Sequence, residues 1–220
     1  PGKMYLVSDI AVVESLVISP GVELRISANM YLAIGSYFRA IGTPENKVRI
    51  VGDRGWWRGL ILPPNGNSEL SNCVIEDGWT GGMTPIIQNM KSIQHTLFQN
   101  NIGLMAKVSS NTSFKYNVVK DNIASGYWIG GLWVADPGFE HNIVARNRVD
   151  ATTTSGMVDF RADNAITLSI RNNVFIDNFR YALSPEHWWG DPGFGFFTLG
   201  PNYFGTIDSA RVQASVLDFY

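Results

Sequence analysis

Cysteine is almost missing from this chain, with one in 220 residues, Cys73. That excludes an internal disulfide and a cysteine-rich metal cluster. Charge is sparse as well: 16% of residues are charged and the net charge is −2. A nucleic-acid binder needs a basic face to meet phosphate, so nucleic acid is not an expected partner. No apolar run approaches the ~20 residues of a membrane-spanning helix, and no polybasic cluster suits a membrane surface. Helical stripes bounded by caps are missing too. What is abundant is glycine, asparagine, aromatics and β-branched residues, with a hydrophobic content of 45% that can fill a sizeable core.

These residues are arranged in a repeat. A nine-residue unit starts at Leu70, Ile93, Phe114, Phe139 and Ile170, with a degraded copy at Leu199. The copies read LSNCVIEDG, IQHTLFQNN, FKYNVVKDN, FEHNIVARN, IRNNVFIDN and LGPNYFGTI, at spacings of 23, 21, 25, 31 and 29 residues. Column one is always large and apolar. Column four runs Cys73, Thr96, Asn117, Asn142, Asn173, Asn202, and column six runs Ile75, Phe98, Val119, Val144, Phe175, Phe204. Column nine is Gly78, then Asn101, Asn122, Asn147 and Asn178. A loose period of this size with a β-rich unit signals a solenoid. Asparagine suits its corners, because it tolerates the left-handed conformation and can bond to the amide one coil away, about 4.8 Å off.

A second, weaker strand follows each unit, in segments such as GLILPP from Gly59, GLMAKV from Gly103, GLWVAD from Gly131 and YALSPE from Tyr181. The expected fold is an all-β, single-stranded right-handed parallel β-helix of about eight coils, occupying residues 1–220 as one domain. The segments SLVISPGVELRI, MYLAIGSYFRAIGT, KVRIVGD and WWRGLIL resemble the opening coils of extracellular and viral right-handed β-helix proteins of the pectate-lyase-like superfamily. PNYFGTIDSARVQASVLDFY resembles the group's closing coil. The resemblance implies the fold but not one function, because the fold serves lyases, hydrolases, epimerases, adhesins and phage spikes.

Side chains alternate inward and outward along a strand, so outward columns should be polar. Two columns expected to face out are apolar instead. Column five reads Val74, Leu97, Val118, Ile143, Val174, Tyr203; in the second strand the column reads Ile61, Ile86, Met105, Trp133, Val158, Leu183. Either the parity differs at one of them, or they form exposed strips that bury a subunit contact. Viral β-helices commonly pack side by side as parallel homotrimers, which the resemblance implies here.

Candidate chemistry is thinner. The second-strand alignment stacks Asp136, Arg161 and Glu186, with Asp159 nearby. That set suits either acidic-polysaccharide cleavage, by paired carboxylates or an arginine base, or a structural ion-pair ladder. Trp188 and Trp189 sit beside a Gly-Asp-Pro-Gly loop and could stack on sugar rings. Trp57 is expected to pack. His95 and His141 share column three two coils apart, roughly 10 Å, too far to hold one metal. No cofactor is expected; Asp191 and Asp208 leave Ca²⁺ open without a dense cage. Cys73 is expected to be a packed thiol.

The leading expectation is a non-enzymatic structural protein on an exterior surface. It would be a phage or viral capsid decoration or spike-like protein, assembling as a homotrimer or against a capsid or other surface protein. The sequence, which begins at Pro1, shows no export signal, as expected either of a mature or trimmed extracellular domain or of a whole gene product; the second would suit a virion protein. The alternative is a secreted polysaccharide-binding or polysaccharide-cleaving domain, a lyase or hydrolase.

Overall fold

The computed structural model describes residues 2–211, apart from 10, 65–66, 81–84, 109–111, 126–130, 135–137, 152–155, 161–167, 186–196 and 207–209. Its strands are all parallel and stack in sequence order around one core. The first sheet has eight rungs: Met4–Val7, Glu23–Ser27, Val48–Asp53, Cys73–Glu76, Leu97–Gln99, Val118–Lys120, Ile143–Ala145 and Val174–Ile176. The second follows the same path from Ala11–Ile18 to Phe197–Leu199. A third, of four strands, runs through Ala106–Val108, Leu132–Val134, Val158–Phe160 and Leu183–Pro185. This is a right-handed parallel β-helix.

The repeat register is reproduced rung by rung. Column one belongs to the second sheet, where Leu70 pairs with Ile93, then Phe114, Phe139, Ile170 and Leu199. Column six belongs to the first sheet, where Ile75 pairs with Phe98, then Val119, Val144 and Phe175. The nine-residue unit therefore spans two strands and the corner between them. From Leu70 to Ile170 and from Ile75 to Phe175, both columns point inward and are buried. Phe114 and Phe139 stack at 5.6 Å with nearly parallel rings, and Phe160 meets Phe139 edge-on at 5.9 Å. Trp57 is buried, its indole N–H donating to the Glu76 carbonyl at 2.6 Å.

The corners divide their work differently from expectation. The left-handed residues are in columns three and eight: Asn72, His95, Tyr116, His141 and Asn172, then Asp77, Asn100, Asp121, Arg146 and Asp177, all with φ between 50° and 59°. The asparagines of columns four and nine sit one residue later. Asn117, Asn142, Asn173, Asn101, Asn122 and Asn147 are buried. Each uses its carboxamide to close the corner of the coil before it. Asn122 Oδ1 accepts from the Asn101 backbone N–H at 2.9 Å, and Asn122 Nδ2 donates to the Phe98 and Lys120 carbonyls. A tight corner turns backbone groups away from the sheet ladders, and the buried amide replaces the water they would otherwise need.

The second-strand parity is corrected. Ile61 does face outward, but Ile86, Met105, Val158 and Leu183 are buried in the core. Nor do these residues share one column: the ladder runs Ile87, Ala106, Leu132, Val158, Leu183, so Ile86 and Met105 fall one residue before it and Trp133 one residue after it, paired with Lys107 and Asp159. The alignment thus slips by one residue in each direction, and in a regular strand a one-residue slip exchanges the two faces. Inside, glycines make room. A Cβ at Gly131 would lie 2.4 Å from Met105 Cε, and one at Gly78 would lie 2.4 Å from Ile86 Cδ1. The side chain of Trp133 lies outside the described residues.

Candidate interaction surface

Outward from the first sheet, column five forms one ladder. Arg49 pairs with Val74, and the line continues through Leu97, Val118, Ile143, Val174 and Tyr203. Here the expected outward parity holds. Ile143 is 41% and Tyr203 50% exposed, Leu97, Val118 and Val174 are half-buried, and Val74 is covered. The next outward column changes character along the stack: Glu76, Gln99 and Lys120 give way to Ala145 and Ile176. The outer face is thus charged near the first coils, where Glu23, Arg25, Arg49 and Glu76 form an ion-pair cluster. It is apolar near the last ones.

Charged ladders border this strip on both sides. On the second sheet, Glu140 bridges Lys115 at 3.4 Å and Arg171 at 2.7 Å. Burial opposes ionisation of Glu140, but hydrogen bonds and charge from Arg171 and Lys115 outweigh it and hold the carboxyl below its ordinary range. On the far corner, the Arg146 guanidinium forks onto both Asp121 oxygens at 2.8 and 2.7 Å, which holds the Asp121 carboxyl low. Between strip and second sheet, His95, Tyr116 and His141 stack at 5.3 and 5.0 Å on exposed corner positions. A further outward column, unnoticed in the sequence, runs Arg58, Trp79, Ile102, Ile123, Arg148, Phe179. Arg58 lies over the Trp79 ring at 3.9 Å. Its signal was the tenth residue of each unit, just past the asparagine.

Of the catalytic candidates, Asp159 lies among the described residues. Asp159 is buried, and the Gly156 N–H donates to its Oδ1 at 3.2 Å, the geometry of a turn carboxylate. Asp136, Arg161 and Glu186 lie outside the described residues, as do Trp188, Trp189, Asp191 and Asp208. Cys73 is packed, its thiol facing the Ala40 carbonyl at 3.1 Å and pushed up to about 12 by burial. No helix among the described residues is long and apolar enough to cross a membrane.

Residues 32–204 match the family model described as periplasmic copper-binding protein (NosD). The chain belongs to the NosD family. No curated protein and no solved structure matches it. The NosD description raises the question of copper, and the described donors do not fit a copper centre. Copper sites draw on thiolate, thioether and imidazole ligands converging on one point. Cys73 is protonated and enclosed by backbone. The Tyr116 ring separates His95 from His141. Met105 and Met157 are consumed in the core over Gly131. Among the described residues no three His, Cys, Asp or Glu side chains gather.

Proposed function

We propose that this chain is a non-catalytic β-helix domain, residues 1–220, that works outside the cytoplasm as a lateral assembly surface. The six-rung apolar ladder on the outer face of the first sheet carries this reading. A lone soluble coil stack gains nothing from exposing Ile143 and Tyr203 on one apolar line, charged on both borders at Ile143, whereas an apolar centre with a polar rim is the anatomy of an interface. The partner is a further copy of the chain, in a homotrimer as the pectate-lyase-like resemblance suggests. The periplasmic description of the NosD family supports a place in the cell envelope rather than on a virion, so capsid decoration or a spike role is not carried forward. Light scattering tests the reading. Wild type should have two or three times the monomer mass of 24.4 kDa, and Ile143→Asp should return it to the monomer while remaining folded. A wild-type monomer at tens of micromolar overturns it.

A further inference from the structure

The borders of the apolar strip carry a charge code. On three successive coils, the residue three before the strip and the residue three after it have opposite signs. They are Lys115 and Asp121 around Val118, Glu140 and Arg146 around Ile143, and Arg171 and Asp177 around Val174. Down each border the sign alternates, which the vertical ion pairs already exploit within one chain. Across the strip the two borders are complements of each other at each of these three levels.

We infer that the partner is a second copy of this chain lying parallel and in register, related by a symmetry axis along the coil stack. This rests on the assembly reading above. Such an axis brings the second-sheet border of one copy to the corner border of the next at the same level. Lys115 then meets Asp121 of the second copy, Glu140 meets Arg146 of the second copy, and Arg171 meets Asp177 of the second copy. In a face-to-face pair all six contacts are between opposite charges, and each adds a crosswise partner to a vertical one. Sliding the parallel copies by one coil sets like charges against each other.

The antiparallel alternatives match less well. Centred on Ile143, they set Lys115 against Arg171, Asp121 against Asp177, and Glu140 and Arg146 each against itself. Centred between Val118 and Ile143, they keep four opposite pairs but leave Arg171 and Asp177 facing uncharged Gln94 and Asn100. Charge patterns at an interface rim set register and exclude wrong arrangements more than they add affinity. Val74 being covered, five rungs at about 4.8 Å, with both borders, cover on the order of 500 Å² per copy, at the low end for a specific interface. At that size register depends on the rim.

Disulfide trapping distinguishes the arrangements. The native Cys73 thiol is buried and does not compete. Leu97→Cys and Val174→Cys place a thiol on the outward ladder without touching the core. In the parallel arrangement each residue faces itself, so each variant alone should give a covalent dimer on mild oxidation. In the antiparallel arrangement centred between Val118 and Ile143, Leu97 faces Val174, and only a mixture of the two variants links. An oligomeric mass with links only in the mixture, or with none, overturns the parallel register and leaves the assembly reading standing. A monomeric mass overturns both.

Discussion

Asn122→Ala tests how the corners are held. The Asn122 carboxamide makes five hydrogen bonds. It accepts from the backbone N–H and side-chain amide of Asn101, and donates to the carbonyls of Phe98 and Lys120 and to Asn147 Oδ1. Alanine removes all five, but the losses are unequal. The Asn101 side-chain amide keeps the Ile75 and Gln99 carbonyls, and Asn147 Oδ1 keeps the Asn122 backbone N–H. The Asn101 N–H and the Phe98 carbonyl are the buried groups left without this partner. At about 1–3 kcal/mol each, the variant should lose about 2–6 kcal/mol, read by urea unfolding at constant slope. Asn100, adjacent to Asn101 on the same corner, is exposed with φ 55°. Asn100→Gly should therefore be near neutral. Asn122→Asp adds a pH signature. Its second oxygen would face carbonyl oxygens, so ionisation is disfavoured and the folded pKa rises above the unfolded one. Its stability should fall as pH rises from about 4 to 7. An Asn122→Ala cost within about 0.5 kcal/mol of zero, or an equal cost for Asn100→Gly, would refute this account of the corners.

Three further outcomes follow from the same geometry. Phe139→Ala should cost about 3–5 kcal/mol in chemical denaturation, because Phe139 fills the core between Phe114 and Phe160. Wild type should lose stability in acid: the carboxyls of Glu23, Asp121 and Glu140 are held below their ordinary values of 4.5, 3.8 and 4.5, so their contribution is present above those values and lost as pH falls through the lower folded ones. A thermal-melt series from pH 7 to pH 3 reads it. Native Cys73 should resist alkylation at pH 8 and react once the chain is unfolded, since burial holds its thiol up at about 12.

The fold was legible because columns one and six repeat a large apolar residue at a spacing that only stacked coils satisfy. Leu70 through Ile170 line up rung for rung. The corner asparagines were legible as ladder residues but not as buried amides. The left-handed turn falls on the residue before each, where His95, Tyr116 and Arg146 give no compositional hint. Column five was read correctly because column six beside it is large, apolar and inward, and neighbours along a strand face opposite ways. The third sheet was misread because its strands are three residues long and its loops vary, so nothing in the pattern opposed one-residue slips at Ile86 and Met105 on one side and Trp133 on the other. Ile86 and Met105 look like surface residues until Gly78 and Gly131 are seen to make room for them.

Hydroxyl-radical footprinting of wild type in solution tests most directly whether the first-sheet ladder is covered. Tyr203 lies on the ladder and is 50% exposed in the single chain, whereas Tyr37, on the second sheet, is 40% exposed. Reactivity follows exposure, so a monomer should oxidise Tyr203 at least as fast as Tyr37. Assembly through the ladder predicts that Tyr203 is protected relative to Tyr37, and that Ile143→Asp restores its reactivity. Tyr203 oxidised as readily as Tyr37 in wild type, with no change in the variant, would contradict the account.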